Sequence, residues 1–308
     1  MRVLVTGADG FVGRWLTRHL EAEGDEVYQV LGPRATPGKG ARVDLRDAAQ
    51  VLSVVEQARP EAVYHLAAVS FGPDAANDIE GAVSATVVGT ANILVACGRL
   101  DQPPRVLVVS SAEVYAPLSA RPIGESDLVL PVNAYGATKL AQEAIGLAYD
   151  RSGRLRVAIA RPFNHIGPGQ RPEFVLPSFA RQLAQVVAGG MEPEVAVGNL
   201  TAVRDFTDVR DVVRAYRLIV ATGHHGRPLN VATGRGIAIS DLLDRMIAAS
   251  GARVSIRVDE SRFRPLDLPS VVGDATLLTS LTGWRPLIDL DESVRAIWAD
   301  AVSRLGTR

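Results

Sequence analysis

Cysteine is nearly missing from this chain. Cys97 is the only one in 308 residues, so no internal disulfide can form and no thiolate metal cluster can be assembled. Its setting, Ile93-Leu94-Val95-Ala96-Cys97, is that of a helix core rather than of a reactive thiol. An excess of either charge is missing too. The formal net charge is −1, which gives no electrostatic footing for nucleic acid or an anionic membrane. No run approaches the roughly 18–20 apolar residues of a membrane span. No basic leader precedes an apolar segment, so a cytoplasmic protein is expected. None of the five histidines stands at ligand spacing from a carboxylate or another suitable histidine, so no metal is expected; His19 and His65 lie in apolar patterns and read as structural. No internal repeat or low-complexity tract occurs.

What the chain does have is alternation. Apolar, β-branched runs at 3–6, 27–31, 62–66, 106–110 and 157–161 read as strands. Helical patterns at 12–22, 48–58, 79–99 and 134–151 lie between them. The strands are almost continuously apolar, as strands covered on both faces must be. The expected fold class is α/β, a Rossmann-type doubly wound parallel sheet. After Arg161 the rhythm is broken by Pro162, Pro168, Pro172, Pro177 and Pro193. Helices are expected again at 179–188, 209–221, 240–249 and 290–304, with a strand at 254–258 and another at 228–231 returning to the sheet. The expected division is a dinucleotide-binding domain of residues 1–162 plus about 205–235, and a smaller C-terminal substrate-binding lobe of 163–204 plus 236–308.

Thr6-Gly7-Ala8-Asp9-Gly10-Phe11-Val12-Gly13 follows the first strand and opens the first helix. Gly7 permits a tight turn, Gly10 lets a pyrophosphate approach the backbone, and Gly13 lets the helix pack on the strand. A glycine turn without a ligand is the bland alternative, but this position favours a dinucleotide. At the end of the second strand, Leu31-Gly32-Pro33-Arg34 offers no carboxylate for a ribose. Arg34 could meet a 2′-phosphate or be a solvated loop cation, so NADPH is slightly favoured over NADH. Asp44 could accept from an adenine amino group or cap the next helix, a task Asp47 suits better.

Tyr135 and Lys139 stand four residues apart, one turn of helix, so both side chains share a face. An ammonium beside a phenol is expected to lower the phenol pKa and make it a usable proton donor. Ser111 closes the strand at 106–110, at the edge where open parallel sheets bind ligands, and could hydrogen-bond a carbonyl oxygen. Each residue alone has a commonplace reading; together with the glycine turn they form a set.

These residues resemble the extended short-chain dehydrogenase/reductase family, which acts on nucleotide sugars. The resemblance spans essentially the whole chain, through His65-Leu66-Ala67-Ala68, Val88-Gly89-Thr90 and Arg161-Pro162-Phe163-Asn164. Thr86 departs from it, since the family usually has Asn there. Two stretches, 163–170 and 197–211, look like the branch that reduces GDP-4-keto-6-deoxy-D-mannose at C4 to GDP-D-rhamnose. The resemblance implies Ser111, Tyr135, Lys139 and Glu113 at the reacting centre. It implies NADPH or NADH held by Gly7, Gly10, Phe11, Val12, Gly13, Arg34, Asp44, Leu45, Leu66, Ala67, Ala68, Tyr135, Lys139 and Pro162. Ser70, Ser111, Glu113, Asn164, Val197, Asn199, Arg204 and Arg264 would then face the GDP-linked sugar. Salt bridging, for Arg204 with Asp205, is the plain alternative for the arginines. Glu113 keeps a GDP-mannose 4,6-dehydratase open, a 4-epimerase shares the fold, and an NADP-sensing scaffold is the non-enzyme alternative. A homodimer through helices 79–99 and 134–151 is also implied, with Ala82, Ala85, Gly89, Ala137, Ala141 and Ala144 permitting close approach.

Overall fold

A computed structural model describes residues 1–36, 40–70, 72–116, 121–263 and 268–306. The chain begins β1 (Arg2–Thr6), α1 (Phe11–Ala22), β2 (Glu26–Leu31), β3 (Ala41–Arg42), α2 (Ala48–Ala58) and β4 (Ala62–His65). It continues through α3 (Gly72–Asn77), α4 (Ile79–Val83), a π-helical segment (Ser84–Val88), α5 (Gly89–Cys97), β5 (Arg105–Val109), α6 (Ala134–Arg151) and β6 (Arg156–Pro162). Together with β10, these strands form a seven-stranded parallel sheet in the order β10-β6-β5-β4-β1-β2-β3, where β10 is Pro228–Val231. The expected return of 228–231 to the sheet edge is therefore observed.

Alternation within the strands fills both faces. Val3 and Val5 join Tyr64, Leu107, Ala158 and Ala160 under α1 and α8 (Val209–Thr222). Leu4 joins Val63, Val106, Val108, Val157 and Ile159 under α2, α5 and α6. Two covered faces explain why these strands read as unbroken apolar runs.

The order in which strands are added reverses between β1 and β4, which run parallel, and this is the switch where ligands bind in such sheets. Gly7 turns the chain there at φ 69°. A Cβ on Gly13 would lie 2.0 Å from the Gly7 carbonyl oxygen, so only glycine lets α1 start this close to β1.

The remaining elements build a second layer. They are β7 (Asn164–Ile166), α7 (Val175–Val187), β8 (Glu194–Val197), β9 (Val203–Asp208), β11 (Gly236–Ala238), α9 (Ile239–Ser250), β12 (Ser255–Val258), β13 (Ser270–Val271) and α11 (Leu290–Leu305), whereas α10 (Thr276–Thr282) packs through Leu278 into the first core beside α8 and β10. A separate apolar core joins α7, α9 and α11 through Phe179, Leu183, Leu242, Met246 and Ile297. Asp205 is fully buried on β9, where its carboxylate accepts from the backbone N–H groups of Thr233, Gly234 and Gly273 and from the Thr233 hydroxyl. One side chain thereby fastens β9 to the loops after β10 and β13. The strands at 164–166, 194–197, 203–208, 236–238 and 270–271 were not expected, because runs of two to six residues carry too little periodicity to stand out.

The helix expected at 79–99 is interrupted by the π segment, and its stretch Ile79–Cys97 is long and apolar enough to cross a membrane by length and composition. That corrects the expectation that no such run exists. In the fold its apolar content has two destinations. Ile93, Leu94, Ala96 and Cys97 enter the core, while Ile79, Val83, Val88 and Val95 stay exposed. Burial pushes the Cys97 thiol up to about 12, in keeping with its expected core role. Ala82 and Gly89 are buried within the chain itself, so the close approach they permit is internal; Ala137 and Ala144 are exposed.

Candidate active site

The glycine turn is tight: the Gly10 N–H donates to the Gly7 carbonyl at 3.0 Å. Gly10 caps α1 with no side-chain hydrogen bond, so the N–H groups of the first turn at Phe11, Val12 and Gly13 are not claimed by a capping side chain. An anion fits there. Ala67 lies against the turn, with its N–H 3.0 Å from where a Gly7 Cβ would stand. Leu66 and Ala68 flank Ala67 on the segment after β4, across the switch from the turn. These residues fit a dinucleotide pyrophosphate. Arg14 donates to the carbonyls of Asp9 and Gly169, and Trp15 to that of Pro168 at 2.9 Å, tying the turn to the loop after β7.

His65 holds the floor beneath. Its ring nitrogens meet the hydroxyls of Thr6 at 2.8 Å and Thr90 at 2.9 Å, and burial pushes its pKa down to about 3. Thr86 keeps a helix-to-loop bond despite its shorter reach than Asn, since its hydroxyl accepts from the Val69 N–H at 3.4 Å.

The end of β2 differs from expectation. No carboxylate stands there in sequence, but one is there in space. Asp9 reaches across from the glycine turn and accepts the Gly32 N–H at 3.1 Å. Arg34 is exposed two residues further on. Asp47 caps α2 by accepting from Ala49 and Gln50, as its position suggested. Asp44 is gripped by Arg46 through Nε and Nη2, and these hydrogen bonds hold its carboxyl down to about 2. An adenine amino group would share that carboxylate with Arg46. Leu45 is buried, and its carbonyl accepts from Asn92. Pro162 ends β6, buried beside Val231.

Ser111 follows β5 and opens a 3₁₀ turn, Ala112–Val114, in which its hydroxyl accepts the Glu113 N–H at 3.1 Å. The same side chain lies close enough to the phenol of Tyr135 to pull its pKa downward. Asn133 was not anticipated. Its Oδ1 accepts the Gly136 N–H at 2.7 Å and caps α6, while its Nδ2 donates to the Glu113 carboxylate at 2.7 Å. An Asn immediately before a helical run is a readable capping signal. Gly136 was missed as well. A Cβ on it would lie 2.3 Å from the Glu113 carbonyl oxygen, so glycine is what lets the first turn of α6 press Tyr135 against Ser111.

Lys139 lies one turn behind, its ammonium 5.8 Å from the centre of the Tyr135 ring. It donates to the Val109 carbonyl at 2.9 Å, a carbonyl it shares with Gln142. The expected acidified phenol is not what this arrangement gives. Burial, and secondarily the Glu113 charge, push the Tyr135 phenol well above its ordinary value, against a smaller opposing pull from Ser111. Burial, partly offset by Glu143, lowers Lys139 to about 7. The ammonium is thus spent on backbone and desolvation rather than on the phenol.

A stability test follows from Lys139. The folded amine releases its proton near 7 and the unfolded one near 10.5, so between those values the unfolded chain binds more protons and stability rises with pH. The urea midpoint of the native chain, relative to Lys139→Met, is expected to climb from pH 7 to pH 10 in equilibrium denaturation. A pH-independent difference contradicts it.

On the other side of the sheet edge, Ser70 opens into a cleft of about 450 Å³ with Ala68, Val69, Asp74 and Arg171 on its walls. Asn164 is exposed at the start of β7. Arg204, on β9, donates to the carbonyls of Val203 and Leu268. Asp205 faces its own backbone donors instead, so the expected alternative of an Arg204–Asp205 bridge does not apply. The Asn199 side chain accepts from the N–H and hydroxyl of Thr201. Val197 is a correction: its side chain is sealed in the second core and its carbonyl accepts from Asp259, which leaves it no side-chain surface for a ligand. Arg264 lies outside the described residues.

This geometry can seat a dinucleotide along the glycine turn and present a hydroxyl pair to a carbonyl beyond β5. The model of the GDP-mannose 4,6 dehydratase family matches residues 4–297. The chain belongs to that family. Within it, a GDP-6-deoxy-D-mannose reductase of Pseudomonas aeruginosa is 34% identical over 306 residues, covering 99% of this chain and 98% of that protein. A GDP-6-deoxy-D-talose 4-dehydrogenase of Aggregatibacter actinomycetemcomitans is 28% identical, covering 92% of each. Among solved structures, RMD from Pseudomonas aeruginosa complexed with NADPH superposes with a TM-score of 0.89 at 33% identity, over 99% of this chain and 100% of that one. The resemblance read from the motifs is therefore upheld, as is the Rossmann-type fold.

Proposed function

We propose that this chain is an NAD(P)H-dependent oxidoreductase that reduces the C4 keto group of GDP-4-keto-6-deoxy-D-mannose to GDP-D-rhamnose. The observation that carries the reading is the nearness of Ser111 to the Tyr135 phenol beyond β5, with Lys139 one turn behind. A reduced nicotinamide bound along the glycine turn supplies the hydride to sugar C4. Tyr135 gives its proton to the carbonyl oxygen as the C=O π bond breaks, and Ser111 holds that oxygen. Lys139 holds the nicotinamide ribose and balances the charge left on Tyr135. The lobe of residues 163–204 and 236–308 binds the GDP-sugar, with Asn164 and Arg204 toward its diphosphate.

A 4,6-dehydratase needs a carboxylate free to exchange a proton with the sugar. The Asn133 hydrogen bond, which at the same time holds the cap of α6, supports a positioning role for Glu113. The direct experiment supplies GDP-4-keto-6-deoxy-mannose with NADH or NADPH, follows loss of the reduced cofactor, and identifies the sugar. Stoichiometric oxidation with GDP-D-rhamnose as product is expected. Tightly retained NAD with no net oxidation of added cofactor sinks the reading in favour of an epimerase or dehydratase.

The same reading includes a cytoplasmic homodimer. Exposed Ile79, Val83, Val88 and Val95 line the helical stretch 79–97, and Ala137 and Ala144 on α6 are small and exposed. Sedimentation at micromolar concentration is expected to give a dimer, and Val83→Asp combined with Val88→Asp a monomer. A monomeric native chain refutes this.

A further inference from the structure

The reading above leaves the choice between the two nicotinamide cofactors open, and the end of β2 bears on it. We infer that Asp9, and no residue of β2, is the acid that receives the adenosine ribose, and that it selects NADH over NADPH. The inference rests on the proposed oxidoreductase function and deepens it.

Three observations carry it. First, β2 ends at Leu31 and is followed by Gly32, which has no side chain to offer a ribose. Second, the Asp9 carboxylate occupies the space that a longer residue would use there. Its Oδ1 accepts the Gly32 N–H at 3.1 Å, and a Cβ built on Gly32 would lie 3.7 Å from its Oδ2. An acid supplied from the glycine turn thus stands at the strand end where an acid supplied by β2 binds ribose hydroxyls in NAD-dependent folds. Third, that carboxylate is exposed and open to a ligand. Arg14 donates to the Asp9 backbone carbonyl and not to its side chain, and among the described residues the carboxylate has no cationic partner.

A ribose 2′-hydroxyl can donate to Oδ2 while Oδ1 stays on Gly32. A 2′-phosphate at the same place offers only acceptors and brings like charge against a carboxylate held by the backbone. Arg34 is the opposing influence. It is exposed, and the turn closed by the Ala35 N–H on the Gly32 carbonyl at 3.0 Å sets it three residues past the strand end. A solvated cation at that remove is screened more than a carboxylate fastened to the strand end itself.

The test is equilibrium binding of NADH and of NADPH to the full chain without sugar, by nicotinamide fluorescence, for the native protein, Asp9→Asn and Arg34→Ser. One charge-assisted hydrogen bond gained and one repulsion avoided correspond to a preference for NADH of about tenfold or more in Kd. Asp9→Asn keeps the side-chain shape and an acceptor for Gly32, and is expected to bring the two cofactors within about threefold of each other by relieving the repulsion and weakening the ribose bond. Arg34→Ser is expected to leave the NADH preference in place. Equal or tighter binding of NADPH by the native chain overturns the inference, as does an unchanged ratio in Asp9→Asn with a native melting temperature. Binding of neither cofactor by the folded native chain overturns the oxidoreductase reading itself, and the inference with it.

Discussion

Tyr135→Phe is expected to lower kcat for keto-sugar reduction about a thousandfold, the range for losing a general acid that also donates to a developing oxyanion. Cofactor affinity should change by no more than about twofold, because the phenol hydroxyl contributes one hydrogen bond at most to the ribose. The burial that pushes this phenol upward has a consequence for mechanism. A phenolate is not available in the free chain at neutral pH, so Tyr135 enters the reaction already carrying the proton that reduction consumes. The difficulty is moved to the product side, where a buried phenolate must be tolerated until it is reprotonated. Lys139, 5.8 Å from the ring centre, carries a charge able to compensate, and Ser111 already favours the anion from beside the phenol. Steady-state rates with the keto sugar and a separate cofactor titration check both halves of the expectation. A Phe variant within tenfold of native kcat would falsify the assignment of Tyr135 as the acid.

Sequence made the sheet and its switch point readable because β1, β4, β5 and β6 are short, apolar on both faces and separated by full helices. The Gly7, Gly10 and Gly13 turn and the Tyr135/Lys139 pair were readable for a related reason: each lies within one local element, where spacing fixes geometry. What escaped was non-local. Asp9 stands next to Gly10 in sequence but acts at Gly32, twenty-three residues on, and nothing in the spacing announces it. The direction of the Tyr135 shift escaped because it depends on how deeply α6 is pressed onto the turn after Ser111, a matter of Gly136 meeting the Glu113 carbonyl. Lys139 was expected to face the phenol because both share a helix face; a free carbonyl at Val109 on β5 claims the ammonium instead.

Glu143→Ala is expected to destabilise the fold by about 3–5 kcal/mol, because it leaves the Arg161 guanidinium buried without its counter-charge. The pair is bidentate, Nε to Oε1 at 2.9 Å and Nη2 to Oε2 at 2.6 Å, with side chains 5% and 2% exposed. It joins α6, which carries Tyr135 and Lys139, to β6. Arg161 also lies over the Tyr115 ring at 4.8 Å, and the Tyr115 hydroxyl donates to Asn230 on β10 at 2.7 Å. Replacing both partners by apolar residues, as in Glu143→Leu with Arg161→Met, removes the two desolvation costs together and is expected to restore most of the stability, read as urea midpoints across the double-mutant cycle. Activity should not return with it. Glu143 lies one turn beyond Lys139 and its charge is what opposes the burial that lowers the Lys139 pKa. Without that charge the amine falls below about 7 and loses its proton at neutral pH. A double variant that is both stable and fully active would show that the charge of Lys139 is not needed beside Tyr135; a stable but slow one ties the buried pair to the reacting centre through Lys139.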